Sequence, residues 1–297
     1  MNRNWLRALT VATVLAAAMM SAGALLGGRA GVILAAVVVA AAAALALVLA
    51  DRVTLAAMRA RPVGEVEYPQ LYRAVREITK AARLPVPRVY VSPALAPNSF
   101  AIGRSRRAAK VCCTEGLLQL LSPAELRAVL AHELAHIRAH DTMATSFCAG
   151  LAAVITSLAS PAWLRPAPVR LGFIGRPEAA TRAEPETAGF SATLVMLVVG
   201  PLAGLLLQLS LSRRREYRAD ALAATWAGDP LALAQALRKI EAETVELPLS
   251  LTGPLASASP LMLVNPFSCE GLTRLFSTHP PTGERVFRLE GLAGYPR

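Results

Sequence analysis

Residues 122–138 read SPAELRAVLAHELAHIR, and nearly everything else in the chain can be placed from this string. Ser122 stands where a helix cap belongs. Pro123 suits the first helical position, where its missing N–H would have no partner anyway, and Glu125 completes a capping box three residues after the cap. Leu126, Val129, Leu130, Leu134 and Ile137 follow at spacings of three and four, an apolar stripe that sinks one face into a core. On that helix His132, Glu133 and His136 form an HExxH motif. Positions four apart share a face, so the two imidazoles are expected to bind one Zn²⁺ per chain, with Glu133 beside the water to be activated. The chain has only 4 histidines among 297 residues, and at this composition chance supplies ~0.003 such motifs.

A catalytic zinc needs a third protein ligand and an open position. A histidine at 142 preceded by a glycine at 139 would supply it in one zincin class, but the chain carries Thr142 and Ala139. A downstream acid is required instead. In the run Arg215, Glu216, Tyr217, Arg218, Ala219, Asp220 the two carboxylates are four apart and share a helical face. Glu216 is expected to bind the metal and Asp220 to orient a ligand histidine from behind. Such a pair alone would be an ordinary solvated face; its company with HExxH gives it a chemical purpose. Tyr217 neighbours Glu216 but points about 100° away on a helix, so it is given no catalytic part.

Composition places this site at a membrane. Hydrophobic residues make up 54% of the chain and the mean hydropathy is +0.44, too apolar for an ordinary soluble protein. Four uncharged stretches are long enough to cross a bilayer. Residues 8–28 and 30–50 are expected to form an N-terminal hairpin (1–50) linked at Arg29, without the cleavage-site character of a signal peptide. Residues 142–164 and 187–212 form a second pair (142–212). Between the pairs lies 51–141, which carries HExxH; after them lies 213–297, which carries Glu216. Neither piece holds a complete site, so both are expected to fold together on one side of the membrane. The fold expected is mainly α with a small β-sheet, an α+β zincin-like domain, plus four transmembrane helices.

The net charge of +11 comes mostly from arginine. Arg52, Arg59, Arg61 and the cluster Arg213, Arg214, Arg215 flank the apolar stretches on the side of the catalytic pieces, as cytoplasmic residues do under the positive-inside rule. Membrane flanking thus explains the charge, and no nucleic-acid partner is expected. Arg165, Arg170, Arg176 and Arg182 in the loop between the second pair run against this orientation. Cys112, Cys113, Cys148 and Cys269 show neither a CxxC pair nor a disulfide framework, and are read as packing residues.

With these residues in place the chain resembles the M48 family of membrane zinc metallopeptidases, most closely its bacterial HtpX-like branch. Besides HExxH and the Glu216–Asp220 run, the resemblance rests on Leu84–Val91, Pro97–Gly103, Val111–Leu118, Asn265, Pro266 and the tail Leu275–Arg285. It implies that Asn98, Ser99, Phe100 and Ala101 belong to an edge strand that pairs with substrate backbone. It implies a supporting role for Asp141, and for His279 and Arg285 a part in stabilising the site or the oxyanion. It also implies a multi-pass protein of the bacterial plasma membrane with a cytoplasmic catalytic domain. The substrates implied are proteins or peptides, misfolded membrane proteins among them. Glu133 is then the general base. Two alternatives stand beside this reading. A site-2-type intramembrane protease is disfavoured by the charges around HExxH and the lack of a downstream Asp-Gly ligand motif. A non-catalytic scaffold with structural zinc would have no need of Glu133. Oligomeric state is not legible.

Overall fold

A computed structural model describes residues 3–147, 213–247 and 280–294. Over these residues the protein is mainly helical with one small mixed sheet. The helical run α1 (Arg3–Ala57) leads into β1 (Arg61–Pro62), α2 (Pro69–Ala82), β2 (Arg88–Ser92), β3 (Ser99–Ile102), β4 (Lys110–Thr114), α3 (Glu115–Leu120) and α4 (Pro123–Arg138). Residues 141–147 are helical as well. Helices α5 (Arg213–Ala227), α6 (Pro230–Glu246) and α7 (Thr282–Leu292) complete the described elements.

Among the described residues, α1 contains a stretch long and apolar enough to cross a membrane, Ala12–Ala46. The helical geometry breaks inside it at Gly27 and at Gly28, whose φ of 56° lies in the left-handed region that glycine enters without penalty. A Cβ on Gly23 would stand 2.5 Å from the carbonyl oxygen of Gly31, so the chain doubles back and its two halves touch there. The turn is therefore at Gly27–Gly28 and not at Arg29, because backbone permissiveness, not charge, decides where a helix can reverse. Leu25, Leu26, Ile33, Leu34 and Val37 are all more than half exposed, an apolar surface that only lipid or another apolar partner would cover. Of the other proposed stretches, 187–212 lies outside the described residues, and of 142–164 only 142–147 lies within them.

The sheet has the order β1-β2-β4-β3, with β2 and β4 parallel and both outer pairs antiparallel. One face carries Val89, Val91, Ala101, Val111 and Cys113, which join a core with α2, α4, α5 and α6. On the other face the end of α1 lies along the strands. Lys110 at the start of β4 pairs with Asp51 at 2.7 Å, and the Ser92 hydroxyl at the end of β2 donates to the Met58 carbonyl at 2.6 Å.

Helix α4 begins as the sequence requires: Ser122 Oγ accepts from the Glu125 N–H, and Glu125 accepts from the Ser122 N–H at 2.8 Å. Leu126, Val129, Leu130, Leu134 and Ile137 are all buried, each large side chain contributing about 1.5–3 kcal/mol. Two ties fix α4 to the later part of the chain. Lys239 of α6 binds Glu125 at 2.8 Å, and Arg127 donates to the carbonyl of Ala227 at the end of α5 at 3.0 Å.

Candidate metal centre

His132 and His136 project from the buried side of α4 toward α5, the helix it packs against most closely. Their Nε2 atoms stand 3.1 Å apart. Glu216 on α5 places Oε2 at 3.6 Å from Nε2 of His132 and Oε1 at 3.6 Å from Nε2 of His136. Zinc bonds of 2.0–2.1 Å in a tetrahedron require ligand atoms about 3.4 Å apart. One donor atom from each of the three residues lies within 4.8 Å of the others, so the chemistry and the spacing fit a zinc ion. Packing of α4 against α5, whose buried face alternates alanines with Arg215, Glu216 and Asp220, brings together residues 80 positions apart in the chain.

Behind His132 the support is dense. Its Nδ1 lies 2.9 Å from Asp220 Oδ1, one turn beyond Glu216 on α5. Arg285 of α7 is 1% exposed; its Nε and Nη2 donate to Asp220 at 2.9 and 2.7 Å, and Nη2 comes within 3.4 Å of His132 Nδ1. Burial alone would raise the Asp220 pKa, yet the Arg285 guanidinium outweighs it and holds the carboxylate well below its usual range. Burial likewise works against charge on His132, but the bonds to Asp220 and Glu216 prevail and push its pKa up to about 9 in the metal-free protein. Arg285 thus acts on Asp220 at the back of the ligand; the structure places its donors there and not beside a reacting carbonyl.

His136 is supported more loosely. Its Nδ1 lies 3.5 Å from Asp141 Oδ2, beyond hydrogen-bond quality. Burial is the largest influence on this imidazole and lowers its pKa despite Glu216 and Asp141. Arg215 belongs to this side. It is 8% exposed, with Nε 3.3 Å from Glu216 Oε1 and 3.9 Å from Asp141 Oδ2. The sequence reading placed it with its neighbours as a membrane-flanking charge. Adjacency to a ligand carboxylate was the available signal.

Glu133 faces the sheet and is 2% exposed, and Ser99 Oγ donates to its Oε1 at 3.3 Å. This contact spans 34 positions between β3 and α4, and no local pattern in the sequence encodes it. Among the described residues β3 is the last strand of the sheet, although all four of its residues are buried, and the four expected residues divide. The Thr114 N–H donates to the Asn98 carbonyl at 3.0 Å, which makes Asn98 and then Phe100 face β4 under antiparallel alternation. The outward backbone groups belong to Ser99 and Ala101. Asn98 is fully buried and its Oδ1 accepts from the Ser99 N–H at 2.9 Å, so it shapes the strand's entry. The Phe100 side chain is buried on the far face. His140 is exposed, and His279 lies outside the described residues.

A profile for Peptidase family M48 matches residues 65–293. The chain is 50% identical to a "Protease HtpX homolog" of Kineococcus radiotolerans, over 82% of this chain and 80% of that protein. It is 44% identical to one of Paenarthrobacter aurescens over 83% and 80% of the two chains. It is 41% identical to one of Bifidobacterium longum over 82% and 77%. Among solved structures, it aligns with a crystal structure of S. mikatae Ste24p at a TM-score of 0.46 and 16% identity, covering 97% of this chain and 67% of that one.

Proposed function

This chain belongs to peptidase family M48 and is a membrane zinc metalloendopeptidase, and from that premise we propose that His132, His136 and Glu216 hold one zinc ion per chain while Glu133 serves as general base. The observation that carries the assignment is the cluster of His132, His136 and Glu216, one donor atom from each within 4.8 Å of the others and a carboxylate oxygen 3.6 Å from either imidazole. His132, His136 and Glu216 would hold the ion, whose chemistry there would be to polarise a peptide carbonyl and to lower the pKa of water toward neutrality. Glu133, steadied by the Ser99 hydroxyl, takes the proton of the attacking water and hands it to the departing amine. Of the outward backbone groups of β3, which is buried in this structure, the Ser99 N–H is taken by Asn98; the Ser99 carbonyl and Ala101 are left for an extended substrate strand, which would lay its scissile bond along the edge nearest Glu133. Asp220, held by Arg285, orients His132; Asp141 supports His136. His279 is assigned to the oxyanion on the sequence resemblance alone.

The same reading puts the protein in a bacterial plasma membrane as a multi-pass enzyme with a cytoplasmic catalytic domain, cleaving misfolded membrane proteins. The apolar surface of α1 and the protease names of the relatives support it. An intramembrane site-2-type arrangement is opposed by the packing of α4, which is enclosed by α2, α5, α6 and β3 and carries Arg127 and Arg138. The test is zinc content alongside cleavage of an unfolded protein by detergent-purified wild type and Glu133→Gln. About one zinc per chain in both, with cleavage by wild type only, is the expected result. Cleavage by the variant at the wild-type rate would remove Glu133 from the mechanism.

A further inference from the structure

Two contacts set the direction of α1 against the sheet. Asp51 meets Lys110 at the start of β4, and Met58 meets Ser92 at the end of β2. The helix advances ~10 Å between them, while β4, parallel to β2, advances ~13 Å from Lys110 to Thr114. Helix and strands therefore run side by side in the same sense. Followed backwards from Asp51, α1 enters its apolar stretch and leaves the sheet past the end where β4 begins. The connection between β3 and β4, residues 103–109, is at that same end. An independent contact agrees: the Gly103 N–H donates to Ser146 Oγ at 3.3 Å, so the helical residues 141–147, which lead into the third apolar stretch, pass this loop.

The loop at that end is strongly basic. Arg104, Arg106 and Arg107 are exposed, as are Arg88 at the start of β2 and Arg52 on α1. Among the described residues neither Arg104 nor Arg107 pairs with a carboxylate; Arg106 reaches the Arg138 carbonyl. The acids closest to this end are accounted for. Asp51 is buried against Lys110, Asp141 is buried beside His136 and Arg215, and Glu65 and Glu67 follow β1 at the opposite edge of the sheet, paired with Arg76 and Arg61. With three strand spacings between β1 and β3, Glu65 and Glu67 are ~14 Å away across the sheet, beyond a Debye length of about 8 Å at physiological salt.

We infer that the Arg104–Arg107 loop, flanked by Arg88 and Arg52, is a bilayer-facing surface that binds anionic phospholipid headgroups. The inference rests on the membrane placement of α1 and adds what the catalytic domain does at the lipid surface. Each basic side chain at an anionic surface strengthens attachment roughly fivefold. The loop terminates β3, so docking it fixes the substrate strand's height: Ser99, beside Glu133, sits ~13 Å beyond Gly103. A substrate segment just outside the bilayer then reaches the site in extended form.

The test uses the full chain in lipid nanodiscs, with a fluorophore on Ser105→Cys or, at the opposite end of the sheet, on Leu95→Cys, in a background with Cys148 and Cys269 replaced by serine. Headgroup spin-labelled lipid is expected to quench the label at 105 several-fold more than the label at 95; equal quenching would overturn the placement. In parallel, native mass spectrometry of wild type should retain more phosphatidylglycerol than phosphatidylcholine. That preference should fall several-fold in Arg104→Gln/Arg107→Gln, which leaves Arg106 on its carbonyl, and further when Arg106→Gln is added. An unchanged preference in both variants would overturn the lipid assignment. Failure of the wild type to enter nanodiscs at all would instead overturn the membrane reading, and the inference with it.

Discussion

The two histidines of one motif, a single turn apart on one helix, are held in place by very different means. His132 has a hydrogen-bonded carboxylate at 2.9 Å and a fully buried guanidinium behind that. His136 has a carboxylate at 3.5 Å on the residue three past the end of α4. Asp141 is local, available as soon as α4 is made. Asp220 and Arg285 come from α5 and α7, so the tighter ligand can be completed only when the last part of the chain has docked. The motif is symmetric in sequence, but its support is not: the carboxylate behind one ligand comes from a distant helix, and the one behind the other from the residues just past α4.

Removing a ligand marks the outer limit of this contrast. His136→Ala and Glu216→Ala are expected to lose bound zinc, with turnover falling by at least about a thousandfold, as metal analysis and cleavage assays would register. Below that limit the two supports should separate. Arg285→Met leaves Asp220 buried without its strongest partner, which costs about 3–5 kcal/mol of stability and about 10- to 100-fold in zinc affinity. Asp141→Asn should cost less than about tenfold, because the contact it weakens is already long. Competition titrations against a chelator, with thermal melting, would compare them. Equal losses in the two variants would mean that the asymmetry has no energetic counterpart.

What was legible in the chain follows the same division. The start of α4, its buried face and the placing of His132 and His136 on one side of it could be read because each rests on spacing within one helix. The Glu216–Asp220 pair announced itself in the same way. Arg285 could be matched to a motif, but its bond to Asp220 spans 65 positions and depends on how α7 docks, which no local pattern encodes. Arg215 was misplaced for a related reason: an arginine run after an apolar stretch looks the same in sequence whether its side chains meet water or turn inward. The turn at Gly27–Gly28 stands one residue before Arg29 because glycine, and not a charge, permits the reversal. Strand order, and with it the outward facing of Ser99 and Ala101, needs the register of β3 on β4.

Proton binding sharpens the contrast in the metal-free protein. His132 has its pKa raised from 6.5 to about 9, so its protonated form stabilises the fold fully below pH 6.5, and that contribution is lost as pH rises toward 9. His136 is shifted the other way: the fold holds it neutral, so stability falls as pH drops below 6.5 and the unfolded chain takes up the proton first. These two groups together give the metal-free protein a stability maximum near pH 6.5. Zinc must displace the His132 proton, so its apparent affinity should rise about tenfold per pH unit up to about 9 and then level off. Asp220→Asn removes a partner that favours the proton, and should move the levelling point down. Chelator competition across pH checks this, and an affinity flat between pH 7 and 9 would contradict it.

The smallest effect expected tests the platform common to both histidines. Ser122→Ala removes the cap acceptor for the Glu125 N–H and should lower stability by about 1 kcal/mol. His132 lies ten residues further on, ~15 Å along the helix axis, and between them Leu126, Val129 and Leu130 are buried. Fraying at the first turn therefore has no route to the ligands, because those contacts anchor α4 independently of its cap. Thermal melting should record the loss while zinc affinity and the difference between the Arg285 and Asp141 variants stay unchanged. If zinc affinity fell tenfold with the cap, α4 would be a flexible carrier, and the asymmetry between its two histidines would have to be traced to the helix instead of to the side chains behind them.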